Sequence, residues 1–176
     1  MNIKSTDRED FKLIYDQNYE LLMQVVVHIV YDIDVAEDLT QESFERFYVK
    51  NMSFPSEDDA RYWLLRVAKN LALNYVRRNK REAEMVEKVK KLPYQQKSAD
   101  GMDEAIRRER LESLRKAIAN LPEHLRLALQ LKEFSGLDYK AIGRILGISE
   151  TNVKVRVHRA RKKLEELLGK EARDVY

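Results

Sequence analysis

Apolar residues recur at three- and four-residue steps along nearly the whole of this 176-residue chain, and nowhere do they alternate with polar ones for long. That is the signature of helices rather than of half-buried strands. Phe11, Ile14, Tyr15, Leu21, Leu22, Val25, Val26 and Ile29 predict a helix over about residues 7–30. A second helix is expected from Asp34, with Glu37 three residues on as a capping box, to about Lys50. Asn51 to Pro55 reads as a connection, and Ser56 with Asp59 forms another capping box opening a long helix to about Arg81. Residues 82–103 are charged and polar, with Pro93, Ser98 and Gly101, and read as a linker whose first turns can continue the helix. Four more helical segments follow: Ala105 to Ala119, Pro122 to about Phe134, Asp138 to Leu146, and one capped by Ser149 that runs to about Leu168 before Gly169. The expected fold class is all-α: a three-helix domain over 1–81 and a four-helix domain over 104–176, joined by a flexible linker.

The third and fourth of those later segments, with Gly147-Ile148-Ser149 between them, have helix–turn–helix spacing. Gly143 is small where the two helices must approach, Gly147 suits a left-handed turn, and Ile142, Leu146, Ile148 and Val153 can form a miniature core. At 100° steps, Val153, Val157, Ala160, Leu164, Leu167 and Leu168 fall in one arc of about 100°. The other side carries Asn152, Lys154, Val155, His158, Arg159, Lys162 and Lys163. A valine among bases is poor on a bare surface but reasonable in a DNA major groove, where its methyls meet a thymine methyl and arginine pairs with guanine. The plain alternative is a solvated basic face on a helical hairpin. Agreement of turn, caps, core and charge favours DNA.

Charge sharpens this picture. The net charge is only +3, yet residues 61–81 and 154–163 together hold thirteen basic residues and no acid. These 31 residues thus carry +13, which leaves −10 on the other 145. Such polarisation points to a polyanionic partner. On the 61–81 helix, Leu64, Val67, Ala68, Leu71, Ala72 and Tyr75 share the arc expected to pack on the first two helices. A separate stripe no wider than about 80° holds Trp63, Arg66, Asn70, Asn74, Arg77 and Arg81. An aromatic, amides and guanidinium groups on one face suit unpaired nucleic acid; equally, Trp63 is a core residue at a helix start and the arginines are solvated. Asp38, Gln41, Glu42, Phe44, Glu45 and Tyr48 form an acidic and aromatic set partly outside the Val35/Leu39/Phe47 core arc, a candidate docking face for a basic protein partner or simply a solvated helix face.

At this point the residues resemble a known family. The blocks Asp34 to Phe44 (DVAEDLTQESF), Tyr62 to Arg78 (YWLLRVAKNLALNYVRR) and Leu121-Pro122 to Arg161 look like the conserved blocks of bacterial RNA polymerase sigma factors, in the right order and spacing. The two-domain format is similar to that of the extracytoplasmic-function (ECF, group four) class. The resemblance implies a promoter-specificity subunit that binds core RNA polymerase and directs transcription initiation. It implies that Asp38, Gln41, Glu42, Phe44 and Tyr48 dock on the clamp helices of the β′ subunit. It implies that Trp63, Arg66, Asn70, Asn74, Arg77, Arg78 and Arg81, with the loop from Asn51 to Ala60, engage the melted −10 strand. Lys154, Val155, His158 and Arg159 would read the −35 duplex, the C-terminal domain would also meet the β flap, and an anti-sigma factor would regulate the whole. Asn74 stands where the family usually has Asp, Gly143 where Ala is common, and Glu57, Asp58 and Asp59 make the loop acidic.

Other functions find little support. There is no cysteine, which excludes disulfides, thiolate metal sites and Cys nucleophiles. The first hundred residues hold no glycine and so no Gly-rich phosphate loop. His28, His124 and His158 lack metal-ligand spacing, no nucleophile–base motif stands out, and no cofactor or enzymatic activity is expected. The longest apolar stretch, Leu21 to Tyr31, is broken by Gln24 and His28 and is too short to span a bilayer, so a cytoplasmic protein without membrane insertion is expected. The alternative function is a stand-alone helix–turn–helix regulator that binds duplex DNA without polymerase.

Overall fold

The computed structural model describes residues 2–86 and 102–169, with side chains for 2–82 and 110–169. Seven helices occupy the described residues: α1 (Arg8–Val30), α2 (Ile33–Val49), α3 (Glu57–Val86), α4 (Met102–Ala119), α5 (Glu123–Phe134), α6 (Tyr139–Leu146) and α7 (Glu150–Leu168). The all-α expectation holds, with α1–α3 in one bundle and α4–α7 in a second. The expected linker lies largely at 87–101, outside the described residues.

Caps decide where most helices begin. Asp7 accepts from the Glu9 and Asp10 amides, Ser149 from Asn152, and Asp138 from Ala141, so each spends a side-chain oxygen on an otherwise unpaired first-turn N–H. At α2 the cap is Asp32 rather than Asp34: its carboxylate takes the Val35 amide, while Asp34 sits in the first turn facing the positive helix end. Ser56 does cap α3, accepting from the Asp59 amide and donating its hydroxyl to the Asp59 carboxylate at 2.8 Å. Helix α1 ends on Tyr31 in the left-handed region (φ 57°), an uncommon state for an aromatic residue, with its N–H returned to the Val27 carbonyl.

One pairing is not foreshadowed by the hydrophobic pattern. Ile3–Lys4 (β1) and Ser53–Phe54 (β2) pair antiparallel, with Ile3 opposite Phe54. Two residues per strand are too few for period-two alternation to show. The bridge nevertheless buries Ile3 and Phe54, and Ser5 completes it by accepting the Met52 amide on its hydroxyl. It thereby ties the loop before α3 to the N-terminus.

Within the first bundle, Ile14, Leu22 and Val26 of α1 meet Phe44 and Phe47 of α2 and Leu64, Leu65 and Ala68 of α3 in one apolar core. Asn18 is the polar exception. Its amide donates to the Ile14 carbonyl at 2.8 Å and its oxygen accepts from Arg61 at 2.9 Å, so a buried amide is satisfied while α1 is fastened to the start of α3. In the second bundle Val153, Val157, Ala160 and Leu164 of α7 are buried as the helical wheel requires, whereas Leu167 is 47% exposed in the last turn.

The helix–turn–helix forms as expected. Gly147 adopts φ 70°, and the Gly147 and Ile148 amides both return to the Gly143 carbonyl. Gly143 itself is required by space: a Cβ there would lie 2.7 Å from the Ile148 backbone oxygen. Alanine would gain up to about 1 kcal/mol of helix propensity, but forcing α6 off the turn costs about 1–3 kcal/mol. Gly143→Ala is therefore expected to lower the melting temperature in a circular-dichroism melt; an unchanged or raised value would show that the turn relaxes freely.

Candidate nucleic-acid and protein interfaces

The outer face of α7 is open. Lys154, His158 and Arg159 are exposed and Val155 is 38% exposed, so the four candidate duplex-reading side chains stand together on one side of the helix opposite its buried arc. Lys154 is steered rather than free: Glu150 pairs with it at 2.7 Å, and its ammonium lies 5.6 Å from the Tyr139 ring centroid. On the flank, Arg161 pairs with Glu133 of α5, which fixes α7 against its own bundle. An exposed valine bracketed by cations at the front of a helix–turn–helix can read base edges; nothing in the bundle itself needs it there.

The α2 face divides into two layers. Asp38, Gln41 and Tyr48 are exposed, Tyr48 by half of its surface, and Glu42 is half-buried and paired with Arg46 at 2.7 Å. Phe44 is only 3% exposed, contrary to the expectation that it lies partly outside the core. The third helix explains this: α1 supplies Tyr15 at 4.7 Å and Phe11 at 6.2 Å between ring centroids, closing over Phe44 from the side that a two-helix wheel leaves open. Phe11, Tyr15, Phe44, Tyr48 and Val49 line an apolar groove of about 600 Å³, which Arg8, Gln41 and Glu45 also line. A partner helix could place an apolar residue there and cations against Asp38 and Glu42.

The α3 stripe is less uniform than its wheel. Trp63 is half-buried, with its ring 5.9 Å from Phe47 and 6.0 Å from Phe54, so much of it belongs to the aromatic core. Arg66, Asn70, Asn74, Arg77, Arg78 and Arg81 are exposed. Arg78 lies over the Tyr75 ring at 5.8 Å and 4.0 Å from Glu82. The middle of the stripe faces the second bundle across a polar cleft of about 470 Å³. There Arg77 donates to Glu123 from Nε (3.1 Å) and Nη2 (2.5 Å), and Arg66 donates to the Arg144 carbonyl at 3.0 Å.

Electrostatics in the cleft follow from this closeness. The Arg77 hydrogen bond holds the Glu123 carboxyl below the usual carboxylate range against the opposing effect of burial, and in turn raises Arg77. Burial, aided by the Arg66 and Arg77 guanidinium groups, lowers the Lys69 pKa, with Glu123 pulling the other way. Glu123, Gln130, Phe134, Arg144 and Arg156 did not stand out in the sequence. One signal was there: buried residues of α5 run without a break from Leu127 to Leu131, too wide for a helix covered on one side only. Among the described residues no cluster of three metal-ligating side chains occurs, and no helix is long and apolar enough to cross a membrane.

Comparisons with known proteins agree in both halves. The family model "Sigma-70 region 2" matches residues 14–82, and "Sigma-70, region 4" matches residues 111–164. The ECF RNA polymerase sigma factor SigW of Bacillus subtilis is 32% identical, over 98% of this chain and 94% of the relative. SigM of the same organism is 31% identical, over 90% and 98% respectively. Among solved structures, the sigma factor RpoE in complex with the anti-sigma factor NepR from Bartonella quintana superposes with a TM-score of 0.63 at 26% identity, covering 91% of this chain and 97% of that one.

The stripe residues should separate by experiment. Trp63→Ala removes half-buried aromatic surface and is expected to cost about 2 kcal/mol in urea unfolding. Arg81→Ala, on the exposed side of the same helix, should fall within about 0.5 kcal/mol of the parent. Equal effects would mean that Trp63 contributes nothing to the core.

Proposed function

The chain belongs to the family of ECF RNA polymerase sigma factors, and from that premise we propose how its surfaces divide the work. As a sigma factor it binds core RNA polymerase, recognises promoter DNA and directs transcription initiation. We assign it to group four, on its two-domain format. The N-terminal domain, residues 1–81, docks on core polymerase and captures the −10 strand. The C-terminal domain, residues 104–176, reads the −35 duplex and meets the β flap, and residues 82–103 connect the two domains. The protein works in the cytoplasm and makes or breaks no bond of its own.

Core docking uses Asp38, Gln41, Glu42 and Tyr48 against the β′ clamp helices, with Phe44 forming the floor rather than the contact. The exposed Glu45 lining an apolar groove, and the exposed Asp38 on the same helix, support this reading. Strand capture uses Arg66, Asn70, Asn74, Arg77, Arg78 and Arg81 along α3, together with the edge of Trp63. Amides and guanidinium groups on one side of a rigid helix suit unpaired bases and phosphates. Duplex reading uses Lys154, Val155, His158 and Arg159. Regulation by an anti-sigma factor is supported by the structural likeness to a sigma factor held in such a complex.

The observation that carries the reading is the co-occurrence, in one chain, of an open basic helix–turn–helix and a separate acidic docking face. A stand-alone duplex-binding regulator needs the first and not the second. Run-off transcription with purified cognate core polymerase and a promoter library tests it: specific transcripts are expected only when this chain is added. Transcripts absent with any cognate core, alongside tight duplex binding by the chain alone, would favour the stand-alone regulator.

Two substitutions assign the faces. Arg159→Ala is expected to weaken −35 recognition by about 1–3 kcal/mol and to relax preference at one base pair; equal losses on every sequence would make it a phosphate contact. Asp38→Arg should weaken core binding about tenfold or more in a pull-down titration while leaving the melting temperature unchanged. Full core binding by that variant would remove Asp38 from the interface.

A further inference from the structure

Residues 50–56 join α2 to α3 without a helix of their own, so their backbone groups must find partners elsewhere. The segment ahead of α1 supplies them, residue by residue. Ile3 and Lys4 pair with Phe54 and Ser53 in the β1–β2 bridge. The Ser5 amide donates to the Met52 carbonyl and the Ser5 hydroxyl accepts the Met52 amide, both at 2.9 Å. Thr6 donates its hydroxyl to the Asn51 side-chain oxygen at 3.0 Å. Helix α1 holds this segment in turn: Asp10 accepts the Lys4 amide at 2.8 Å, and the Asp7 amide donates to the Lys4 carbonyl at 3.0 Å. The strand alternation leaves Lys4 and Thr6 exposed and buries Ile3 and Ser5 completely.

The bridge positions a set of rings that ends on the strand-binding helix. Phe54, directly opposite Ile3, is buried. Its ring stacks on Phe47 at 5.3 Å with 18° between the planes and meets Trp63 edge-on at 6.0 Å. Trp63 therefore leans on two rings, Phe47 fixed within α2 and Phe54 carried by the loop. The second support is only as well placed as the loop itself. The helices supply most of the bundle's interior, through Ile14, Leu22, Phe47, Leu64 and Leu65, whereas the bridge adds to it at one edge, beside Trp63.

We propose that Ile3 and Ser5 are positioning residues for strand capture: by fixing Phe54 and Met52 they hold the Trp63 ring where it receives an unpaired base of the melted strand. Both side chains are buried, so they act through the loop and not by meeting DNA. This rests on the reading of Trp63 and α3 as the strand-binding face. A loop free to move leaves Trp63 in place for only part of the time, and apparent affinity for the strand falls by that competent fraction. A loop already ordered by the bridge avoids that cost at the moment of binding. Core docking draws on the outer face of α2 and duplex reading on α7, so neither is expected to follow the bridge.

Trp63 is the only tryptophan of the chain, so its fluorescence in the full-length protein reports this site alone. Acrylamide quenching measures how firmly the ring is held. Holoenzyme assembled with cognate core is then titrated with a fluorescent single strand carrying the −10 region of a promoter selected by run-off transcription. Ile3→Ala removes the packing opposite Phe54, Ile3→Val keeps most of it, and Ser5→Ala removes the hydroxyl that takes the Met52 amide. Ser5→Ala leaves the apolar core intact and stays informative should Ile3→Ala fail to fold. Ile3→Ala and Ser5→Ala are expected to raise quenching and to weaken strand binding about tenfold, with core binding at the parent's midpoint. Ile3→Val should match the parent in all three. Unchanged quenching overturns the proposal, as does full strand affinity around a loosened Trp63. A parallel loss of core binding overturns it too, because that marks general damage to the bundle. Trp63→Ala locates any failure. If it weakens strand binding, the reading of α3 survives and only the positioning role is lost; if it has no effect, the reading of Trp63 falls as well.

Discussion

Helix α3 is asked to satisfy two neighbours with one cylinder, and most of the architecture follows from that constraint. One side must be apolar, because α1 and α2 bury Leu64, Ala68, Leu71 and Ala72 against it. The side that remains is basic, and a basic face on a folded protein must be solvated, neutralised or reserved for a partner. Here part of it is neutralised by the chain itself, through Glu123 on Arg77 and the Arg144 carbonyl on Arg66. The same helix therefore anchors one bundle, meets the other, and carries the candidate strand-binding residues. A Pro or Gly in its middle turns would disturb all three at once.

The two acid-free segments that hide inside a net charge of +3 are treated differently by the fold. The basic face of α7 is left open, with Glu150 holding only Lys154 in place. That suits a surface meant for rigid duplex, which offers its grooves without prior melting. The face of α3 is partly covered, which suits a ligand that exists only after melting. The acids elsewhere in the chain include the exposed Asp38 and Glu45 of α2, the second of them lining an apolar groove, and Glu123, which closes the cleft.

How much of this the sequence discloses depends on whether the cause is local. Helix starts and stops are written in nearby residues, so Ser56, Ser149, Asp138, Gly147 and Gly169 mark their ends, and the cap of α2 differs from the pattern by only two positions. The α7 face is legible for the same reason, since one helical wheel separates Val153 and Val157 from Val155. What the pattern misses is made by a third party. Phe44 is buried by α1, Leu73 is buried on the side of α3 that lines the cleft with Leu127 and Leu146, and Trp63 is half-enclosed by a loop that the Ile3–Phe54 bridge pins down. The contact between bundles pairs Gln130 with His28, about a hundred positions apart. No local periodicity encodes such a pairing.

On the proposed reading, duplex reading and strand capture lie on separate helices of one chain and operate together only in company with core polymerase. Permanganate reactivity of promoter thymines measures this most directly, because only unstacked thymines react. Reactive thymines are expected only in the −10 region when chain and core are both present, and none with either alone. Melting by core alone at the same promoter, or a complete holoenzyme that protects the −35 duplex yet leaves every −10 thymine unreactive, would contradict it.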